Sequence, residues 1–307
     1  MVKGNQDNKF YRQKFIAENN PPQDLCSLDS GIKFVQKVTR IDYHDLLKNI
    51  DPTSELPAYR PEEVDYSSML GTDDLRQTYK DTTYPYGLVG KIFNSNERVG
   101  SGALVGDNLV ITAGHMVPWE KQGWWMRFVP DYYNDDINKK GEGHSLHGAG
   151  VESYVEEAMG FNTHGDVTGY DWAILKLYNP LGKQLGYFGA KHYKYFEWSN
   201  MPIFIILGYP LLIAGGEQPS SEGGISMYID KEEPWNTGGE ALYTPNADLT
   251  RGNSGGPVYL IDRDYFPYIV GVVSGGQTEP SPTTTGGLIA GGPGLANLIR
   301  YGRQNWS

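Results

Sequence analysis

Arg251-Gly252-Asn253-Ser254-Gly255-Gly256-Pro257, running into the apolar stretch Val258-Tyr259-Leu260, decides how the rest of the chain is read. Glycines on both sides of a serine let the backbone turn tightly and approach another molecule closely. The N–H groups of Gly252 and Ser254 can then point at one oxygen, forming an oxyanion hole for an attack by the Ser254 hydroxyl. The plain alternative is a Gly-rich hairpin loop without chemistry. A serine nucleophile also needs a base, and the base needs an orienting partner, so the rest of the sequence is searched for both.

The base is found in Leu109-Val110-Ile111-Thr112-Ala113-Gly114-His115, where an apolar strand delivers a histidine beside a turn of small residues. The orienting acid is Asp171, which opens the buried-strand pattern Asp171-Trp172-Ala173-Ile174-Leu175. Asp166 is its rival, but it lies in the loop-like Gly165-Asp166-Val167-Thr168-Gly169. The chain order is therefore His, Asp, Ser. That order excludes the α/β-hydrolase arrangement, although residues 252–256 formally match its G-x-S-x-G elbow. Those enzymes place histidine after the serine, and the six histidines here (44, 115, 144, 147, 164 and 192) all precede Ser254.

Outward from these motifs the sequence reads as strands and turns. Of the 307 residues 39 are Gly and 22 Tyr, and apolar runs are short and interrupted. Candidate strands are 87–93, 100–105, 109–113, 124–129, 172–178, 202–207, 224–229, 241–244, 256–260 and 268–273, with a terminal helix over 294–304. No βαβ alternation is present, so the expected class is all-β, built as barrels or a sandwich. Residues 1–69 differ: they are charged, carry Pro21-Pro22, and show one amphipathic helical pattern at Ile41–Ile50. They are expected to form an extension outside the main core, preceding a domain over 70–307.

A net charge of −11 with no basic block disfavours nucleic-acid or anionic-membrane partners. No apolar run approaches the length of a membrane helix. Cys26 is the single cysteine, so no intrachain disulfide forms. Met1–Asn20 is polar and does not read as a signal peptide. His144 and His147, with Glu142, make an H-x-x-H pattern that reads as a solvated loop rather than a metal site. Trp119, Trp124 and Trp125 read as core packing. No cofactor is called for.

The three motifs together resemble the trypsin-like serine peptidases, specifically the cysteine-poor glutamyl endopeptidase (V8-like) branch. Thr112 to His115 stands as T-A-x-H, Asp171 to Leu175 as D-x-A-x-L, and Gly252 to Pro257 as G-N-S-G-x-P. Gly71 to Arg76 with Thr82 to Tyr86, and Gly208-Tyr209-Pro210, add weaker matches. The resemblance implies two six-stranded antiparallel β-barrels of chymotrypsin-like type, with the triad His115, Asp171 and Ser254 between them. It further implies a protein or peptide substrate, export from the cell, and a pro-segment ending near Gly71. It places Asp248, Val273, Ser274, Gly275 and Gly276 around the substrate, the last three offering backbone groups to an extended peptide.

The branch's glutamate preference rests on a histidine where Val273 stands here, and on a small polar residue where Leu249 stands. In trypsin-like enzymes an aspartate six residues before the serine binds Arg or Lys, so the resemblance offers Asp248 for a basic side chain; the alternative is a loop aspartate hydrogen-bonded to backbone. Two rival readings share the fold: a catalytically silent binding protein and an esterase. The sequence does not fix the oligomeric state.

Overall fold

Apolar runs of four to ten residues, separated by Gly, Asn and Asp turns, pair here as antiparallel strands. The computed structural model describes residues 10–17, 34–40, 43, 46, 55–61, 77–95, 98–232, 238–276 and 286–306. The N-terminal strands are β1 (Phe10–Ala17), β2 (Phe34–Arg40), β3 (Glu55–Leu56) and β4 (Gln77–Thr78). Next come β5 (Val89–Asn94), β6 (Val99–Gly106), β7 (Leu109–Thr112), β8 (Met126–Pro130), β9 (Tyr132–Tyr133), β10 (His144–Ser145), β11 (Ser153–Phe161) and β12 (Ala173–Leu177). The second half holds α1 (Leu181–Leu185), β13 (Gly189–Lys191), α2 (Tyr195–Trp198), β14 (Phe204–Gly208), β15 (Ser220–Ile225) and β16 (Tyr228–Glu232). It ends with β17 (Glu240–Thr244), β18 (Pro257–Ile261), β19 (Pro267–Gly276), β20 (Gly287–Gly291) and α3 (Pro293–Asn305).

Strands β12, β7, β6, β5, β8 and β11 follow one another in one sheet, and a further β11–β12 pairing closes them into a six-stranded barrel. The second sheet runs β16-β17-β20-β19-β18-β14-β15-β4, with β13 beside β19 and β3 on β13. Each half has its own apolar filling. Leu104, Ile111, Phe128 and Ile174 lie in the first core, and Phe204, Ile206, Val258 and Val270 in the second. The fold is the expected chymotrypsin-like all-β type, here one closed six-stranded barrel and a second sheet, with a C-terminal helix. Helix α3 buries Leu295, Leu298 and Ile299, and Arg303 joins it to both halves by donating to Val105 O (2.6 Å) and Phe188 O (2.7 Å).

The N-terminal section departs from its expected place outside the core. Strand β1 pairs with β11 from Phe10↔Phe161 to Lys14↔Glu157, and β2 covers its other edge. Phe10, Tyr11, Tyr43 and Leu56 are buried in the first core. Of the expected helix at 41–50, Tyr43 and Leu46 are described and helical; the other residues lie outside the described ones. The charged sequence hid this packing because β1 spreads its apolar residues (Phe10, Tyr11) and polar ones without strict alternation.

Candidate active site

The antiparallel pairing of β7 with β12 brings His115 and Asp171 together. Ala173 lies opposite Thr112, so the residues just after β7 and just before β12 leave the barrel at the same end. There the chain makes a single 3-10 turn, Gly114–Met116, carrying His115. His115 Nδ1 stands 2.6 Å from Asp171 Oδ2. Asp171 Oδ1 accepts the His115 backbone N–H (2.9 Å) and the Thr163 hydroxyl (3.3 Å). The Ser274 hydroxyl donates to Oδ2 at 2.5 Å. The Asp171 side chain is 0% exposed, a burial tolerable for a carboxylate only with such partners. Gly114 is the residue this crowding demands: a Cβ there would lie 2.7 Å from Phe161 O and 3.1 Å from Asp171 Oδ1.

Burial draws the His115 imidazole down in pKa, and Arg98 adds slightly to that. The Asp171 carboxylate and its hydrogen bond push the other way and prevail, so the net direction is upward from 6.5. With Nδ1 held by Asp171, Nε2 lies on the far side of the ring, open to another partner.

The Ser254 loop is fastened to the same barrel end. Ser101 in β6 donates its N–H to Ser254 O (2.8 Å) and its hydroxyl to Gly252 O (2.7 Å). At Gly255, with φ +82°, a Cβ would lie 2.1 Å from Thr112 Oγ1 and 2.8 Å from Ala113 N. The loop thus touches the two residues that lead into His115, and the half-buried Ser254 stands beside that turn.

The peptide orientations of the loop are fixed from outside. Arg251 O accepts Leu211 N–H (2.7 Å), and Asn253 O accepts Gly256 N–H (2.7 Å). In a trans peptide the N–H points opposite to the carbonyl. The N–H groups of Gly252 and Ser254 are therefore turned away from these anchors, and among the described residues neither has a protein acceptor.

The remaining sequence candidates lie along β19 and the loop before Ser254. Val273 and Leu249 are buried in the second core. Gly275 and Gly276 are half-buried and pair with Leu288 and Gly287 on one edge. Val167, exposed, sits over Gly275, where a Cβ would come within 2.5 Å of it. Asp248 is half-buried, and its backbone N–H donates to both oxygens of the buried Glu222 (3.1 and 3.2 Å). Asp166, the rival acid, is exposed. His147 Nε2–H donates to Gly87 O (2.8 Å), while His144 is exposed in β10. Trp119 is buried and donates Nε1–H to Gly114 O (2.9 Å).

Three side chains escaped the sequence reading: Thr163, Ser101 and the hydroxyl of Ser274. Ser274 had been singled out only for its backbone. Each is a small polar residue in an otherwise apolar or loop setting, and only the folded chain reveals its partner.

Comparison with known proteins gives the family and the fold. Residues 76–290 match the sequence model of the family described as Trypsin. The chain belongs to the trypsin family. It is 27% identical over 172 residues to the glutamyl endopeptidase of Bacillus licheniformis, a match covering 54% of this chain and 50% of that protein. The chain thus spans about half the length of the curated relative it matches. Among solved structures it resembles a Glu endopeptidase in complex with MPD, at TM-score 0.53 and 20% identity, over 76% of this chain and 98% of that one. The protease Anisep from Arthrobacter nicotinovorans is similar at TM-score 0.50 and 20% identity, over 71% of this chain and 93% of that one. Both likenesses concern the trypsin-family fold.

Proposed function

We propose that this trypsin-family protein is a serine endopeptidase with His115, Asp171 and Ser254 as its triad. The observation that carries the reading is the His115–Asp171 contact at 2.6 Å, with the Ser254 loop fastened to the same barrel end. Ser254 Oγ attacks a peptide carbonyl and gives its proton to His115 Nε2. Asp171 holds the ring in the Nδ1–H tautomer and stabilises its cationic form. The Gly252 and Ser254 N–H groups receive the oxyanion. His115 returns the proton to the leaving amine as the acyl-enzyme forms. Water, activated by the same imidazole, then releases the acid. Export, which the family resemblance implies, belongs to the same proposal.

Val273 and Leu249, at the positions the resemblance assigns to specificity, supply no imidazole, and the half-buried Asp248 carries a carboxylate there. This supports Arg or Lys rather than Glu as the residue preceding the cleaved bond. A peptide panel cleaved without preference for basic residues would remove that part.

The test of the whole reading is intact mass after a fluorophosphonate probe, on wild type and Ser254→Ala. One adduct on wild type and none on the variant is expected. No adduct on either would bring the silent binding-protein reading forward.

A further inference from the structure

Residues before Gly71 were expected to form an extension or pro-segment outside the main core, yet β1 reaches the segment that follows His115. Gln13 is 0% exposed. Its Nε2–H donates to Pro118 O (3.1 Å), and its Oε1 accepts Glu120 N–H (2.9 Å). One side chain thus satisfies two backbone groups on the stretch immediately following His115. That stretch needs holding. Glu120 has φ +61°, a left-handed conformation unusual for a side-chain-bearing residue. Trp119, between the two anchored groups, ties the stretch back to Gly114 O (2.9 Å) and packs its ring beside Tyr11 of β1 at 6.0 Å.

The same strand braces the other side of the site. Strand β8 pairs with β11 only at Ser153 and Tyr154; β1 takes over along Glu157–Phe161. Arg12 and Lys14 pair with the buried Glu157. Phe161, at the end of that edge, has its carbonyl beside Gly114 and its ring against Phe10 (5.0 Å) and Tyr43 (5.2 Å). Thr163, two residues on, bonds Asp171. Removing β1 would free the 117–120 segment and the open edge of β11 together, on both sides of the His115–Asp171 pair.

We propose that β1 is a retained working part of the enzyme rather than a discarded pro-segment, and that Gln13 is a positioning residue for His115. This rests on His115 being the base, so the test includes a readout that does not need turnover. In the full chain, Gln13→Ala is compared with wild type and with Gln13→Glu. The Glu variant keeps the acceptor for Glu120 N–H and loses the donor to Pro118 O. With one to two buried hydrogen bonds removed, kcat should fall roughly fivefold or more at little-changed KM. Gln13→Glu, which buries a carboxyl against Pro118 O, should lose at least as much, and Gln13→Met, which fills the space without either hydrogen bond, carries the comparison if neither variant folds.

The second measurement is NMR titration of the His115 ring, whose charged neighbours are Asp171 and Arg98, in a Ser254→Ala background. A displaced titration in the Gln13 variants supports the proposal even if no peptide is cleaved. Intact mass of the fluorophosphonate-labelled species should show residues 10–17 still present. Unchanged kcat and an unchanged His115 titration in a folded Gln13 variant would overturn the proposal. So would a fully active labelled species that begins near Gly71.

Discussion

Asp171 accepts from four donors: the His115 ring, the His115 backbone, Thr163 and Ser274. Each donor satisfies a lone pair that burial would otherwise leave without a partner. The consequence appears on His115, whose protonated form gains more from Asp171 than it loses by burial. With His115 as the proposed base, the neutral ring is the active form, so raising its pKa moves the loss of activity to higher pH. The acid limb of kcat/KM is expected to have its midpoint above 6.5, measured with a neutral peptide so that substrate titration does not intrude. A midpoint below 6.5 would mean that burial, not Asp171, governs the ring. Stability carries the matching sign. The folded pKa lies above the unfolded value, so the His115–Asp171 contribution is fully present below about 6.5 and is lost as pH rises through the folded pKa.

At the scale of elements, the contact between the Ser254 loop and the end of β7 depends on one residue without a side chain. Gly255 combines φ +82° with a Cβ position 2.4 Å from Ser101 O and 2.1 Å from Thr112 Oγ1. Gly255→Ala forces the loop off β7 and separates Ser254 from the His115 turn. Probe labelling should slow by about a hundredfold or more, as misplacing a reacting group by about 1 Å does, while the far-ultraviolet circular dichroism stays unchanged. Labelling at the wild-type rate would show that the loop can relax without moving Ser254.

Strands β7 and β12 were readable because Leu109-Val110-Ile111 and Ala173-Ile174-Leu175 are apolar runs buried on both faces. Strand β11 was not. Ser153–Phe161 carries Glu156 and Glu157 at its middle, with a register shift against β12 between Val155 and Glu157. Glu157 can be buried there because Arg12 and Lys14 arrive from a strand some 140 residues earlier. The single strand expected over 224–229 is two, β15 and β16, broken after Ile225, with Gly224 at φ +68°. The candidate site was legible where motifs are contiguous. Its supports were not: Gln13, Ser101 and Ser274 each bond a residue about a hundred or more positions away, and Thr163 reaches Asp171 across a turn that no motif marks.

The two halves of the molecule meet at another buried polar cluster. Lys91 of β5 and Glu217, from the segment between β14 and β15, are almost fully buried and lie 2.6 Å apart. Tyr132 (2.7 Å), Asn134 (2.9 Å) and the Gly141 N–H (2.9 Å) complete the bonds to the other Glu217 oxygen. Lys91 also lies 4.5 Å from the Tyr132 ring centre. Burial pushes the Glu217 carboxyl up, but Lys91, Asn134, Gly141 and Tyr132 outweigh it, and the net direction is downward. The segment so anchored carries Leu211, whose N–H holds Arg251 O and with it the direction of the Gly252 N–H. The ion pair therefore bears on both stability and the placement of the Ser254 loop.

Glu217→Ala leaves the Lys91 ammonium buried without its anion, and loss of one partner of a buried pair costs about 3–5 kcal/mol. The stability of Glu217→Ala in urea should fall by that amount at pH 7. The difference from wild type should shrink as pH falls through the Glu217 folded pKa, because a depressed carboxyl contributes stability that is present above its unfolded pKa and disappears on protonation. The double variant Lys91→Met with Glu217→Leu removes both charges and should recover part of the lost stability, the rest staying lost because Tyr132, Asn134 and the Gly141 N–H lose their acceptor. It also removes the hold on the Leu211 segment, so its labelling by the fluorophosphonate should stay slow while its folding partly recovers. Recovery of both together would show that the pair serves the joint between the barrels and nothing at the Ser254 loop.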